Sequence, residues 1–354
     1  MPKTVLLTGI SGFAGHHAME HILQNTNWNI VGLASFQHKG DSRRIADVDS
    51  FDPARVRYYY CDISAPLSPR LIKQIGPVDY IINMASESHV DRSIEYPKDF
   101  IENNVRLVLN MLEYARVAKP KVFIQISTDE VYGPAPGETN HKEWAAMLPS
   151  NPYAASKAAQ EAIATSYWRT YGVPVVITNT MNLIGERQDP EKFVPLVIGK
   201  VLRGEQVIIH GTKDGKPGSR FYLHARNMAD AILYIIQKLP PKLYGHTYEK
   251  LGPSSAIFGD FVIDEVSPDR PDRYNIVGER EVDNLEMAKM IAAIVGKPLK
   301  YKIVDFHSSR PGHDLRYGLN GTKLKRAGWT APVPFPTSLD RLVRWTLDNP
   351  DWLE

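Results

Sequence analysis

The chain has 354 residues, a length that suits one large domain with a smaller second one. Hydrophobic residues make up 43% of the sequence, enough for a well-buried core, and 42 basic residues nearly balance 40 acidic ones. This balance argues against a nucleic-acid or membrane-surface partner, so an acidic small substrate would need a local basic cluster.

The single cysteine, Cys61, cannot form a disulfide within the chain or a cysteine zinc site. We therefore expect no metal and a reducing compartment, the cytoplasm. The apolar run near the N-terminus ends at Gly9, and no run of 18 apolar residues occurs. We expect neither a signal sequence nor a membrane span.

Short apolar segments alternate with helical ones over the first 180 residues. The predicted strands are Thr4–Thr8, Asn29–Ala34, Val56–Tyr60, Tyr80–Ala85, Lys121–Ser127 and Val175–Asn179. The longest predicted helices are Pro97–Lys119 and Pro152–Tyr171. This alternation predicts an α/β fold with a doubly wound parallel sheet of the Rossmann type.

Beyond residue 180 the pattern is less regular, with predicted helices at Asn284–Val295 and Ser338–Leu347. We predict a dinucleotide-binding domain over residues 1–180, to which about 220–243 return. A smaller C-terminal α/β lobe over 181–354 would bind the substrate above the carboxyl ends of the strands. The segment 244–273 is rich in Gly, Pro and Ser and is predicted to be a surface insertion.

Three glycines follow the first predicted strand directly. Gly9, Gly12 and Gly15 form G-x-x-G-x-x-G, in which glycine allows a tight turn, close approach to a pyrophosphate and packing of helix on sheet. The next helix would offer free N–H groups to the phosphates. Glycine-rich turns are common, but this position in an alternating pattern favours a dinucleotide site.

The end of the second predicted strand lacks the acid that usually binds an NAD ribose. Ser35 stands there, followed by the basic residues His38, Lys39, Arg43 and Arg44. A missing carboxylate and nearby bases favour a 2′-phosphate, so we expect NADP(H) to be accepted at least as well as NAD(H). A solvated basic loop is the alternative.

Tyr153 and Lys157 form Y-x-x-x-K, and residues four apart share one face of a helix. The ammonium could lie near the phenol oxygen and lower its pKa, so that the tyrosine takes a proton from a substrate hydroxyl. Tyr234 and Lys238 repeat the spacing, but we interpret them as structural. Only the first pair follows an Asn-Pro helix start.

The segment STDEVYG follows the fifth predicted strand and places Thr128, Asp129 and Glu130 side by side. Two adjacent carboxylic acids are an unusual end for a buried strand. They make sense at the carboxyl edge of the sheet, where they would face a ligand.

The sequence resembles the extended short-chain dehydrogenase/reductases, and within them the nucleotide-sugar 4,6-dehydratases. The resemblance runs from about residue 3 to the C-terminus, outside the insertion, and is carried by TGISGFAG, ASESHVDRS, STDEVYG, NPYAASK, PEKFVPLVI and RPGHDLRY. Epimerases of this superfamily usually have small or hydroxyl residues in place of Asp129 and Glu130, and the decarboxylases keep only the glutamate. An epimerase, a decarboxylase or a non-catalytic sensor of NADP or a sugar nucleotide remains the alternative.

The resemblance implies a mechanism. Tyr153, aided by Lys157 and Thr128, would deprotonate the sugar C4 hydroxyl while the C4 hydride passes to the nicotinamide. Glu130 would then remove the C5 proton and Asp129 would protonate the departing C6 hydroxyl. The hydride would return to C6 and a proton to C5. One acid must start ionised and the other protonated, and close like charges can separate their pKa values in this way.

The expected cofactor is NAD(P), with Asp62 either at the adenine or at a helix N-cap. Its expected contacts are Gly9, Ser11, Gly12, Phe13, Ala14, Gly15, Ser35, Arg43, Arg44, Asp62, Ile63, Ala85, Tyr153 and Lys157. The implied substrate is a nucleotide-diphosphate hexose. Its expected contacts are Ser88, His89, Asn182, Glu191, Lys192, Arg220, Arg310 and His313.

The chain departs from the family pattern on the nucleotide side. Phe221 and Tyr222 stand where the family usually has Asp-Trp, and Leu183 replaces the second of two asparagines. Lys213–Ser219 adds a small basic loop. Thymidine, uridine, cytidine and guanosine diphosphate sugars therefore all remain open.

The resemblance also implies a homodimer, because family members pair the two long helices with those of a second subunit. Apolar residues at helical spacing that suit such a bundle are Val105, Leu109, Leu112, Ala159, Ile163 and Tyr167. The alternative is that these faces pack on the sheet of their own subunit.

Overall fold

The computed structural model describes residues 2–37, 39–244, 270–305 and 314–354. The strands are β1 (Thr4–Thr8), β2 (Asn29–Ala34), β3 (Val56–Tyr60), β4 (Tyr80–Asn83), β5 (Val122–Thr128), β6 (Val175–Thr180), β7 (Leu183–Ile184), β8 (Gln206–Gly211), β9 (Ser219–Phe221), β10 (Leu223–His224), β11 (Asp272–Ile276), β12 (Glu281–Asp283) and β13 (Lys300–Asp305).

The helices are α1 (Phe13–Asn25), α2 (Arg43–Ala46), α3 (Pro69–Ile75), α4 (Val90–Glu95), α5 (Pro97–Ala118), α6 (Pro152–Tyr171), α7 (Phe193–Arg203), α8 (Ala225–Lys238), α9 (Asn284–Val295), α10 (Thr322–Arg326) and α11 (Phe335–Asp348). Two 3-10 turns lie at Asp129–Tyr132 and Pro350–Leu353. Within the described ranges, no helix is both long and apolar enough to cross a membrane.

A seven-stranded sheet in the order β11-β6-β5-β4-β1-β2-β3 forms the centre of the molecule. All neighbouring strands in it run parallel, as buried apolar strands separated by helices should. This architecture confirms the predicted Rossmann-type fold. All six predicted strands are present, each within two residues of its expected ends.

Apolar side chains cover both faces of this sheet. One cluster joins the strands to α1 and α8 through residues such as Met19 and Ile232. The opposite cluster joins them to α5 and α6 through residues such as Val108 and Trp168. A third cluster, built from α7, α9 and α11, forms the core of the C-terminal part.

The predicted end of the surface insertion, at residue 273, is wrong. Asp272 and Arg273 begin β11, which pairs with β6 and is buried throughout. The buried guanidinium of Arg273 forms an ion pair with Glu161 of α6 and lies 4.0 Å above the ring of Trp144. Three of the five DRYNI residues are charged or polar, so the burial of this strand depends on such partners as well as on the apolar Tyr274 and Ile276. Residues 245–269 lie outside the described part.

Candidate active site

The expected site residues gather where the sheet changes winding direction, between β1 and β4, and along the neighbouring ends of β5 and β6. Ligands bind at such a switch point because the loops on either side of it diverge and leave a crevice. Parallel strands bring all their carboxyl ends to this one edge.

The glycine-rich turn fits a dinucleotide pyrophosphate. Gly9 has a φ of 70°, in the left-handed region that favours glycine. A Cβ on Gly15 would lie 2.0 Å from the carbonyl oxygen of Gly9, so a side chain would push helix α1 off the turn. Gly12 is the N-cap of α1, and no side chain in the described part of the chain caps it. The helix N-terminus is thus available to an anion.

The loop after β2 lies directly on this turn. The backbone N–H of Asp41 donates to the carbonyl oxygen of Ser11 at 3.0 Å. Lys39 bridges from this loop to the segment after β7, with its ammonium 3.1 Å from Asp189 and 3.3 Å from Glu191. The loop therefore connects the expected cofactor turn to expected substrate residues.

Arg44 has partners that differ from the expected phosphate. Its buried guanidinium donates to the backbone carbonyls of Arg187 at 2.9 Å and of Lys39. Arg43 is exposed, but it donates to the Asp41 carboxylate at 2.7 Å and lies 4.5 Å above the ring of Trp352. Arg44 thus supports the loop, whereas Arg43 lies at its surface. His38 is outside the described residues.

The other expected cofactor residues line the same edge of the sheet. Ala85 donates its N–H to the Thr8 hydroxyl at 3.0 Å and lies against Gly9. Asp62 is exposed and accepts from the N–H of Ser64 at 2.9 Å within a turn, and no helix begins in this described part of the chain for it to cap. Of four further expected cofactor residues, Phe13 and Ala14 begin α1 and Ile63 is buried. The fourth, Ser35, accepts a weak hydrogen bond through its hydroxyl from the N–H of Gln37.

The adjacent acids stand where β5 passes into a 3-10 turn. The Thr128 hydroxyl donates to Asp129 Oδ1 at 2.9 Å and accepts from the N–H of Glu130 at 3.3 Å. Asp129 is 3% exposed, and its Oδ2 is buried with no hydrogen-bond partner among the described residues. Burial, and then the charge of Glu130, raise the pKa of Asp129 to about 7.

Glu130 has better hydrogen-bond donors than its neighbour. Its Oε2 accepts from the Asn151 amide at 3.1 Å and from the Tyr317 hydroxyl at 3.4 Å. Burial raises the pKa of Glu130, and the Asn151 hydrogen bond and the charges of Arg220 and Lys192 work against that rise. The two acids are thus adjacent in sequence but differ in what stabilises their ionised forms.

Tyr153 lies in the first turn of α6 and is 9% exposed. Burial and the charge of Glu130 raise its pKa, and a hydrogen bond with the Thr128 hydroxyl works against the rise. Tyr153, Thr128 and Glu130 are expected to act on the substrate hydroxyl and the C5 proton. Both of the other residues are therefore close enough to Tyr153 to affect its pKa.

The amino group of Lys157 lies against strand β5, and the groups that shift the pKa of Tyr153 do not include it. This buried amino group donates to the Ile126 carbonyl and to Gln160 Oε1, both at 2.7 Å. Burial lowers the pKa of Lys157 to about 8. The i, i+4 spacing is as expected, but the ammonium is held against strand β5 by these two acceptors.

Two groups of expected substrate residues are near the acids. Lys192 precedes α7; burial lowers its pKa, and the charges of Glu130 and Glu191 oppose this. Glu191 itself lies 3.2 Å from His89 Nε2 and also pairs with Lys39. His89 and Glu191 thus contact each other at the entrance between α4 and α7.

Arg220 reaches the site from β9. It donates to the carbonyls of Leu315 and Asp314 at 2.7 Å and lies 4.8 Å above the ring of Tyr317. The buried Oδ1 of Asn182 accepts no hydrogen bond from a described residue, so a ligand could donate one to it. Ser88 is exposed. Arg310 and His313 lie outside the described residues.

Two residues that contact the acids were not expected there. Asn151 was interpreted only as part of a helix start, and Tyr317 only as the last residue of RPGHDLRY. A signal for Asn151 exists, because a capping side chain with both an acceptor and a donor can reach a neighbouring loop. Tyr317 has no local signal, since it reaches Glu130 across 187 residues of sequence.

Comparison with known proteins gives a consistent result. Residues 5–249 match the family described as NAD dependent epimerase/dehydratase. The chain is 33% identical to dTDP-glucose 4,6-dehydratase 1 of Escherichia coli (strain K12), over 99% of this chain and 94% of that protein.

Solved structures are similar over nearly their whole length. The chain is 31% identical to DesIV, a dTDP-glucose 4,6-dehydratase of Streptomyces venezuelae solved with NAD, with a TM-score of 0.81 and 99% of both chains covered. A dTDP-glucose 4,6-dehydratase of Bacillus anthracis in complex with NAD is 26% identical, with a TM-score of 0.80 over 99% of this chain and 98% of that one.

Proposed function

The chain belongs to the NAD dependent epimerase/dehydratase family, and we propose that it is a nucleotide-sugar 4,6-dehydratase. The reaction converts a nucleotide-diphosphate hexose to the 4-keto-6-deoxy sugar with loss of one water. The full-length relatives that carry this name support the assignment, as does the pair of acids at the end of β5.

The bound dinucleotide would supply a reversible hydride acceptor, taking hydrogen from C4 and giving it back at C6. Tyr153 is the proposed acceptor of the C4 hydroxyl proton. It would act in its ionised form, which the hydrogen bond with the Thr128 hydroxyl favours and which burial and the charge of Glu130 disfavour. Lys157 has a pKa near 8 and would add positive charge beneath the site. The glycine turn and the N-terminus of α1 would hold the pyrophosphate.

Elimination requires a base and an acid at the same time. We assign the base to Glu130, because the donors Asn151 and Tyr317 stabilise its ionised form. We assign the acid to Asp129, because a pKa of about 7 keeps it largely protonated below neutral pH. Glu130 would take the C5 proton as Asp129 gives a proton to the departing C6 hydroxyl, and a proton would return to C5 when the hydride returns to C6.

The observation that carries the proposal is this buried pair of adjacent acids in unlike surroundings. An epimerase that only oxidises and reduces C4 has no use for either acid, and a decarboxylase loses carbon dioxide and needs no acid at C6. A non-catalytic sensor would gain nothing from burying two adjacent carboxyl groups, which is costly. These alternatives are therefore less well supported.

Incubation with a panel of nucleotide hexoses tests the proposal. We expect at least one of the thymidine, uridine, cytidine or guanosine diphosphate sugars to lose the mass of one water, on the order of 10³-fold faster than with the Glu130→Gln protein. An isomer of unchanged mass would instead identify an epimerase.

The proposed preference for NADP now depends on Arg43 and Ser35. Arg44 and Lys39 are engaged by protein acceptors, and the relatives of known structure named above contain NAD. Arg43 remains exposed and could exchange Asp41 for a 2′-phosphate. Tight binding of NAD alone by the unaltered protein would overturn the preference.

A homodimer through α5 and α6 is also proposed. Leu109 of α5 is 39% exposed and Val105 and Ile163 are partly exposed, as an interface requires. Leu112 and Tyr167 instead pack within their own subunit, which agrees with the alternative that these helix faces cover the sheet. Light scattering at micromolar concentration should give a dimer, and Leu109→Glu should give a monomer. Residence in the cytoplasm stays a prediction from the single cysteine.

A further inference from the structure

The carboxylate of Glu130 is held by two side chains to which the reaction scheme gives no part. Asn151 Nδ2 lies 3.1 Å from Oε2, and the Tyr317 hydroxyl lies 3.4 Å from the same oxygen. Both are donors to one oxygen, which leaves Oε1 as the oxygen with which Glu130 would take a proton.

Asn151 has a second task that fixes its position. It is the N-cap of α6, and its Oδ1 accepts from the N–H of Ala154 at 2.8 Å. Tyr153 is the second residue of the same helix. The Asn151 side chain therefore joins Glu130 to the start of α6, the helix that carries Tyr153.

Tyr317 approaches from a different part of the chain. Its ring is 3% exposed and lies 4.8 Å from the guanidinium carbon of Arg220. Asp314, three residues earlier, accepts from the Ser150 hydroxyl at 2.7 Å, beside Asn151. Two segments distant in sequence thus meet at Glu130 through a short chain of polar contacts.

These donors favour the ionised form of Glu130, whereas Asp129 has an oxygen with no donor among the described residues. The surrounding groups oppose one another: Arg220 and Lys192 favour ionisation of Glu130, and Asp314 disfavours it. The charged and titratable groups that face Glu130 are Asp129, Tyr153, Lys192, Arg220, Asp314 and Tyr317. Unequal hydrogen bonding is thus the clearest difference between the two acids.

We propose that Asn151 and Tyr317 are positioning residues that keep Glu130 ionised and aimed at the C5 proton of the substrate. The inference rests on the proposed dehydratase function, in which Glu130 is the base. Both act through Glu130 and contribute no group to the bonds that form or break.

Asn151→Ser and Tyr317→Phe test the proposal. Serine caps a helix about as well as asparagine, so it removes the amide donor and keeps the cap. Loss of a donor raises the pKa of Glu130, and the base must be ionised, so the acidic limb of the kcat profile should move about one unit to higher pH in each variant. Asn151→Asp keeps the cap, adds a like charge and should move the limb further.

A second readout separates proton removal from oxidation. At a pH below the limb, exchange of the C5 hydrogen with deuterated solvent should slow about tenfold in these variants, as expected for a one-unit shift. Reduced cofactor, followed by its absorbance, should still form. Ser68→Ala is the matched control, because Ser68 caps α3 through the N–H of Leu71 and that helix contributes nothing to the site.

The outcomes are distinct. If the unaltered protein dehydrates no nucleotide hexose, the proposed function fails and takes the inference with it. If it does dehydrate one and Glu130→Gln does not, an unmoved acidic limb and normal C5 exchange in both variants overturn the inference alone. An equal loss of kcat at every pH, with lower thermal stability, would mean a merely structural role and would also overturn it.

Discussion

The carboxyl end of β5 and the loop after β2 both carry charged residues beside the proposed crevice, yet the protein treats them in opposite ways. In the loop, Arg44 and Lys39 are satisfied by carbonyl and carboxylate acceptors. At the end of β5, Asp129 is buried with an oxygen that no described residue satisfies. Charge that is neutralised within the fold supports structure, whereas a buried carboxyl group with a raised pKa and an unsatisfied oxygen indicates chemistry.

The largest expected effect comes from removing the base at β5. Glu130→Gln should lower turnover by about 10³-fold, since general base catalysis contributes on this order. Reduced cofactor should accumulate with substrate, because oxidation at C4 does not need Glu130. Stopped-flow absorbance with purified protein measures both. Turnover at the unaltered rate would contradict the contrast between the two regions.

Gly15→Ala should disturb the turn on which the loop after β2 lies. The new Cβ would lie 2.0 Å from the carbonyl of Gly9, so the turn or α1 must shift. We expect cofactor affinity, measured by titration calorimetry, to fall at least about tenfold, or 1.4 kcal/mol. Gly172→Ala is the control, because the Cβ there would meet no atom within 4 Å, although the positive φ of Gly172 strains an alanine. It should affect stability and not cofactor binding.

Asp129→Asn should lower activity and raise the stability of the protein at alkaline pH. The folded-state pKa of Asp129 is about 7, above its ordinary value of 3.8, so folding favours the protonated form. That contribution is fully present below about pH 4 and is lost as pH rises through 7. At pH 8 the neutral amide should therefore make the protein more stable by roughly 2–4 kcal/mol. At pH 4 the gain in stability should vanish. Equal melting curves for the variant and the unaltered protein at pH 8 would contradict the prediction.

The smallest effects belong to the loop. Arg43→Ala should weaken NADP(H) binding and leave NAD(H) binding unchanged, because the exposed guanidinium is the group free to exchange its partner. Arg44→Ala should weaken the binding of both cofactors and lower stability by about 1–3 kcal/mol, because it removes the donor to two partly buried carbonyls. Equal effects of Arg43→Ala on both cofactors would end the case for NADP.

Local patterns in the sequence predicted most of the fold, and motifs supplied the candidates for the reacting groups. Apolar runs and the Asn-Pro helix start predicted the strands and helix α6, because these features depend on neighbouring residues. Strand β11 was missed because its burial depends on the distant partners Glu161 and Trp144. The partners of Arg44, the donors to Glu130 and the acceptors of Lys157 also come from other segments, which spacing alone does not reveal.

The most direct test of the central claim uses a nucleotide hexose that carries deuterium at C4. The proposed reaction moves that hydrogen within one active site, so the product should have lost one water and should carry the deuterium at C6, as mass spectrometry and NMR would show. A product that keeps its water with C4 inverted, or that has no deuterium at C6, would contradict the assignment of a 4,6-dehydratase.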